Sequence, residues 1–402
     1  MPGGIYDSYD RLIKTSSFTR QLRMQEVVSQ AGNTTGRIVF DWQSPDNAYW
    51  IPASSYVLMK FIITKSGNAV VAASDQVDLV ENVGAAAVQT CQHFINGVSV
   101  GLQSNNAVAK QVLTKAFMQR DVKESIGDVF NLTAGRTDTF SGSSQLITAF
   151  QPALGVYNLD SGIAGRARHQ LEMHMATNLI AAMVESNDAG TSKGRSVPGL
   201  NIVLSDIKFY AAYATPQEPI RPPSTQFINV TDLHVSSQAH TSNGSATQSY
   251  VVPASTHKIF VTSQHLDLTA ATATGATGFA GCLGNASAPP QVDYAGMQVP
   301  ARAYTNDLLD THRAYLDLYA GTLLASGQSS YDSIEEWDGN KLYLHAFPKA
   351  ADDTSTNVLV RFNSDGNTTP SNVFLAALHD NNIILTYGAG NEITSVNYAT
   401  VS

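Results

Sequence analysis

Residues 51–61 read IPASSYVLMKF, and residues 252–262 read VPASTHKIFVT. Each opens on a β-branched residue, continues Pro-Ala-Ser with Ser or Thr, and runs into an apolar stretch. Pro52 and Pro253 are 201 residues apart, half of the 402-residue chain. A shared tripeptide in an Ala- and Ser-rich chain is weak alone, so the offset has to be tested elsewhere.

Two further landmarks repeat it. INGVSV (95–100) precedes a segment with helical spacing, AVAKQVLTKAFMQRDV (107–122), in which Ala109, Leu113, Ala116 and Phe117 recur. YAGMQV (294–299) precedes a second, TNDLLDTHRAYLDLYA (305–320), with Leu308, Leu309, Leu316 and Tyr319 on one stripe. Gly97 and Gly296 lie 199 residues apart and the helix starts 198 apart, in the same order as the prolines. One unit therefore occurs twice. Thr305 or Asn306 is expected to cap the second helix and Gly321 to end it. Pro52 and Pro253 suit the first residue of a strand, and Asn96-Gly97 a hairpin turn.

The rest of each half reads as β-strand. Val57, Met59, Phe61 and Ile63 alternate with polar positions such as Lys60 and Thr64, and Ile207, Phe209, Ala211 and Tyr213 alternate likewise. In the second half KLYLHAF (341–347), NVLVRF (357–362), 373–379 and 383–387 are short strand-like runs. SDGN (364–367) and HDNN (379–382) read as turns between them. Between the halves ATPQEPIRPPS (214–224) carries four prolines, which predicts a stiff extended connector. Short strands at this spacing predict antiparallel sandwiches and not βαβ units.

Composition narrows the function. Apolar residues make up 43% of the chain, ample for packed cores, while charged residues are 14% against about 25% in ordinary soluble domains. Such a surface is covered by Ser, Thr, Asn and Gln or hidden in partners. The net charge of −9 gives no global attraction for nucleic acid. Near the start, Arg11, Lys14, Arg20 and Arg23 face only Asp7 and Asp10, a mild positive bias. Cys91 and Cys282, one in each half, predict free thiols in a reducing compartment. MPGGIYDSYDRLIK lacks the apolar core of an export signal, and no apolar run reaches the ~20 residues that span a bilayer.

Chemistry-bearing patterns are scarce. His169 and His174 on one strand point to opposite faces, so they do not share a metal. His312 on the second helix reads as a partly buried packing residue. Gly275, Gly278 and Gly281 in GATGFAGCLG follow no clear strand and open no helix, which favours a flexible loop over a phosphate cradle. Asp352-Asp353 and Glu335-Glu336 are adjacent pairs whose side chains diverge, unlike an acid/base dyad. Trp42, Tyr49 and Trp50 flank the turn SPDN (44–47); they are able to stack a sugar or base, although such a cluster more often packs at a sandwich end or subunit contact. No catalytic, cofactor-binding or metal-ligating residue is assigned and no cofactor is expected.

The duplicated β-unit resembles the double jelly-roll major capsid proteins, the lineage of adenovirus hexon, membrane-containing phages, virophages and polinton-like viruses. RIVFDWQSPDNAYWIPASSYVLMKFIIT, FINGVSV and LGVYNLDSGIAGRARHQLEMHM are similar to first-roll segments; VDYAGMQVPARAY and YLHAFPKAADDTSTNVLVRF are similar to second-roll segments. The resemblance covers roughly residues 35–402. It implies an all-β fold of two tandem eight-stranded jelly rolls with one short helix each. The implied division is an N-terminal arm at 1–34, a first roll at 35–215, a linker at 216–224 and a second roll at 225–402. It further implies a non-enzymatic capsid protein of the virion, made in the host cytoplasm or nucleus. Trimeric pseudo-hexagonal capsomers would tile an icosahedral shell and meet penton or minor capsid proteins. The arm, through Arg11, Lys14, Arg20 and Arg23, would reach an internal membrane or the genome. Two other classes compete: a carbohydrate-binding or fibre-type β-protein using Trp42 and Trp50, and an enzyme on tandem sandwiches with scattered carboxylates.

Overall fold

The computed structural model describes residues 21–28, 36–118, 140–159, 161–184, 194–216, 221–241, 244–265, 290–305, 307–326, 334, 344–350, 354–363 and 371–400. In the first half the strands are β1 (Gln21–Val28), β2 (Arg37–Gln43), β3 (Tyr49–Trp50), β4 (Tyr56–Thr64), β5 (Val88–Ile95), β6 (Val98–Gln103), β7 (Gln145–Phe150), β8 (Ile163–Ala164), β9 (Arg168–Met175) and β10 (Asn201–Thr215). In the second they are β11 (Thr225–His240), β12 (Ser245–Val252), β13 (Thr256–His265), β14 (Gln291–Tyr294), β15 (Met297–Val299), β16 (His345–Pro348), β17 (Thr356–Asn363), β18 (Ser371–Tyr387) and β19 (Ile393–Thr400).

Setting aside the two-residue β3 and β8 and the final strand β19, which pairs β18, the first half forms sheets β1-β10-β4-β7 and β2-β9-β5-β6; the second forms β11-β18-β13-β16 and β12-β17-β14-β15. Counting eight strands in each half, both halves have the orders 1-8-3-6 and 2-7-4-5, with antiparallel pairing throughout. This is the strand exchange of a jelly roll, made twice. The helices also correspond: α1 (Asn106–Phe117) and α2 (Leu308–Ser326) each connect a fifth to a sixth strand. Both fifth-strand hairpins turn through two positive-φ residues, Asn96-Gly97 at 49° and 81°, and Ala295-Gly296 at 51° and 76°. That pair of conformations matches the right-handed twist of flanking strands.

Several local expectations are corrected. Gln21–Val28 is no part of a free arm, because it pairs along β10 from Gln21↔Thr215 to Val28↔Lys208 and supplies the first roll's first strand. Arg23, in register with Tyr213, goes with it, while Arg11, Lys14 and Arg20 lie outside the described residues. Pro52 and Pro253 sit in turns before their strands, which begin at Tyr56 and Thr256. There the Ser55 amide donates to the Pro52 carbonyl at 2.9 Å and the Thr256 hydroxyl to that of Pro253 at 2.7 Å. HDNN is not a turn: β18 runs straight through it for 17 residues, paired with β11 on one side and with β13 then β19 on the other.

The helices shift as well. The first ends at Phe117, where Met118 turns extended. The second starts on Asp307, whose carboxylate accepts the Asp310 amide at 2.8 Å, and it continues past Gly321. Its buried stripe is Ala314, Tyr315, Leu318 and Tyr319; Leu308, Leu309 and Leu316 are exposed, as is His312. GATGFAGCLG, SDGN, Glu335-Glu336 and Asp352-Asp353 lie outside the described residues.

Alternation delivers the cores. Val57, Met59, Phe61, Ile63, Ile207, Phe209, Ala211 and Tyr213 all point into the first roll and are buried. The second roll closes over Tyr250, Val252, Ile259, Val261, Val358, Val360, Val373 and Leu375. Its two longest strands then overrun it. Ile228 and Val230 of β11, with Ile383 and Leu385 of β18, belong to the first roll's apolar cluster together with Ile393 and Val396 of β19. The rolls are thus joined by strands whose ends are buried in different cores.

Candidate functional site

Trp42 and Trp50, which the sequence offered as packing residues or, less often, as a stacking platform, lie in the core. β2 and β9 pair Trp42 with His169, the β5–β9 ladder places His93 beside them, and β3 brings Trp50. Trp50 stacks on His93 with ring centroids 4.9 Å apart and 11° between planes; Trp42 stacks on His169 at 5.3 Å and 14°. The imidazoles meet at 3.3 Å, Nε2 of His93 to Nδ1 of His169, and His93 Nδ1 lies 3.2 Å from the Tyr157 hydroxyl. Trp42, Trp50 and both histidines are buried, so this cluster offers no face to a sugar or base, and the carbohydrate-platform reading is overturned. Burial pushes the His169 imidazole down to about 3 and drives His93 well below its ordinary value, with repulsion from His169 adding to it. His174, on the opposite face of β9, is exposed and contacts Glu172 at 3.2 Å. Buried Cys91 is a free thiol.

The junction between the rolls carries a set of polar contacts. Asn96 Nδ2 donates to the Ile393 carbonyl at 2.6 Å, Gln103 Nε2 to that of Leu233 at 2.6 Å, and Asn105 Nδ2 to that of Val235 at 3.2 Å. Asp232 gathers the amide of Gly155 at 2.5 Å, Nδ2 of Asn381 at 3.0 Å and the hydroxyl of Tyr398. Burial raises its carboxyl above the usual range, against the pull of the Asn381 and Gly155 donors. A cavity of about 310 Å³ opens beside it, lined by Gln103, Leu154, His234, His379 and Asn381 among others. HDNN is therefore where β18 leaves one core for the other; its Asn381 holds Asp232, and the Asp232 carboxylate takes the Gly155 amide of the first roll. Nothing in the local sequence distinguished that from a turn.

Gly165 makes the tightest crossing. The Arg166 amide donates to the Asn391 carbonyl at 3.0 Å, and the Arg166 carbonyl accepts the Ile393 amide at 2.9 Å. Gly165 has φ +90°, and a Cβ there would penetrate the Asn391 carbonyl oxygen and touch the Tyr387 ring. Gly165→Ala is expected to cost about 2–4 kcal/mol, since neither the backbone angle nor the facing carbonyl yields easily. Chemical denaturation measures it, and a loss under 0.5 kcal/mol would show that the junction relaxes freely.

Among the described residues no three His, Cys, Asp or Glu side chains converge as a metal site, and no helix is long and apolar enough to cross a membrane. Exposed large apolar side chains among the described residues include Leu308, Leu309 and Leu316 on α2 and Ile62, Ile147 and Val203 on the first roll's β1-β10-β4-β7 sheet, with Leu102, Phe227 and Val251 exposed elsewhere.

No protein-family model matches the chain, and no curated protein matches it in sequence. Solved structures do. The chain is similar to the cryo-EM structure of the Sputnik virophage, with a TM-score of 0.68 and 12% identity over 96% of this chain and 89% of that one. PBCV-1 Vp54, as fitted into a reconstruction of Sputnik, gives 0.58 and 9% over 95% and 98%. The mavirus major capsid protein gives 0.55 and 11% over 94% and 90%. Strand order, corresponding helices and near full-length superposition together make this chain a double jelly roll, the fold it shares with the mavirus major capsid protein.

Proposed function

We propose that this chain is a viral major capsid protein whose trimers form pseudo-hexagonal capsomers and tile an icosahedral shell. The observation that carries the reading is the duplication itself: two rolls of one topology, locked side by side, offer two similar edges per chain. Three such chains then present six near-equivalent surfaces. The low content of charged residues fits lateral faces buried between copies. The segment before β1 serves as the arm in this reading, contacting an internal membrane or the genome through Arg11, Lys14 and Arg20; penton and minor capsid proteins are the other partners. The role is structural and not enzymatic, and the chain resides in the virion after synthesis in the host cytoplasm or nucleus.

Light scattering on the purified chain is expected to give three times its 43.0 kDa mass, and electron microscopy of concentrated protein hexagonal arrays or closed shells. A monodisperse monomer at micromolar concentration, with no arrays, overturns the reading.

A further inference from the structure

The contact between the rolls within one chain contains a template for the contact between chains. α1 leaves the first roll and lays Val108, Ala109, Val112 and Ala116 into an apolar cluster with Leu233, Val235, Phe260, Phe374, Ala376 and Leu378 of the second. On β18 these alternate with Val373, Leu375 and Ala377, which face the second roll's interior. α1 therefore covers the outer face of the sheet β11-β18-β13-β16, while Asn106 still anchors it to the first roll through the Ala85 carbonyl at 3.2 Å. A helix of one roll thus covers the outer sheet face of the next.

The same two elements are present a second time, each with apolar side chains left exposed. α2, the counterpart of α1, buries one stripe on its own roll and leaves Leu308, Leu309 and Leu316 at 73%, 82% and 50% exposure. On the first roll, the sheet β1-β10-β4-β7 is the counterpart of the covered sheet. Its outer face carries Ile62, Val203 and Ile147 at 38%, 42% and 57% exposure, with Ile62 and Val203 in register and Tyr56 stacked on Tyr210 at 5.3 Å. Lys60, Asp206 and Lys208 lie between these apolar residues and the tyrosines on the same face, so the face is mixed, with apolar side chains of the kind that mark interaction surfaces grouped at one end. The helix stripe is also continuous with an interface already in place, because the buried side of α2 shares one cluster with α1.

We propose that α2 docks through Leu308, Leu309 and Leu316 on the outer β1-β10-β4-β7 face of the first roll of a second copy of this chain. The contact is head-to-tail, so each copy gives one helix and receives another, and rings close when six rolls alternate around the axis. The proposal rests on the capsomer reading and names the surfaces that build it.

Two experiments test it. Leu309→Glu with Leu316→Glu places carboxylates at positions already exposed, so the fold stands, checked by an unchanged circular dichroism spectrum; trimers are expected to fall to monomers at micromolar concentration. In a Cys282→Ser background, chains carrying Leu309→Cys or Ile147→Cys are mixed and treated with a flexible bismaleimide. Covalent dimers are expected from the mixture and not from either chain alone. A wild-type chain that is monomeric overturns the capsomer reading and this contact together. A wild-type trimer that survives the double substitution, or Leu309→Cys chains that link to themselves, overturns the contact alone.

Discussion

Replacing Trp50 by Ala is expected to lower the unfolding free energy by about 3–5 kcal/mol, the range for deleting a large aromatic from a packed core. Trp50 is among the largest fully buried side chains, and its ring is enclosed by His93, His169, Tyr157 and Trp42 at centroid distances of 4.6–6.0 Å. Its indole nitrogen donates to the Ser55 hydroxyl at 3.1 Å; that hydroxyl donates to the Ile51 carbonyl at 2.9 Å and accepts the Ala212 amide at 3.0 Å. The substitution therefore opens a void, removes the stacking surface of a neutral imidazole and loosens the turn before β4. Trp50→Phe keeps most of the apolar area and should recover all but about 1–2 kcal/mol, including one lost hydrogen bond. Guanidinium denaturation separates the two variants. If the Ala variant lost under 1 kcal/mol, the aromatic cluster would not be the centre of the first roll.

Acid should weaken the fold strongly. Burial pushes the imidazoles of His169 and His345 down to about 3 and that of His379 to about 4, where His234 adds repulsion, and His93 lies well below its ordinary value. A base held neutral by the fold gives its full stability above its ordinary pKa, near 6.5, and loses it as the pH falls from there toward the folded value. At pH 5 each site that stays neutral costs about 2 kcal/mol relative to pH 7. With four such imidazoles the loss is several kcal/mol, on the order of a domain's usual 5–15 kcal/mol. Asp232 works in the opposite direction, since its raised carboxyl gains by protonation, but it is one group against several. Denaturation midpoints measured from pH 7.5 to 4.5 should fall steeply below 6.5. A flat profile across that range would mean that water reaches these imidazoles.

The halves of the chain could be read against each other because what they repeat is local. Alternation from Val57 to Ile63, the Asn96-Gly97 turn and the helix after each fifth strand are set by near neighbours in sequence, whose periodicity survives without knowledge of any partner. Two sandwiches, each with a helix after its fifth strand, were legible on those grounds; the short first-half helices Val83–Ala86 and Leu179–Met183 were not. The candidate surfaces were not. Leu308, Leu309 and Leu316 make as regular a stripe as Ala314, Tyr315, Leu318 and Tyr319, and only the sheet beneath α2 selects which one is covered.

Polar segments misled for the same reason. HDNN carries ordinary turn residues, yet Asn381 stands in register with Val230 and donates to Asp232, 149 residues away. β1 showed no strong alternation, and its place in the first roll comes from pairing with β10, nearly two hundred residues later. Trp42 and Trp50 read first as packing residues and second as a platform, but their enclosure by two histidines from β5 and β9 had no local signal. The sequence by itself determined the repeat, the strand-forming segments and the turns, because backbone propensity and side-chain period act over a few residues. Only the tertiary structure decided which apolar faces are covered and which wait for another chain, because burial depends on strands that meet across the whole length of the polypeptide.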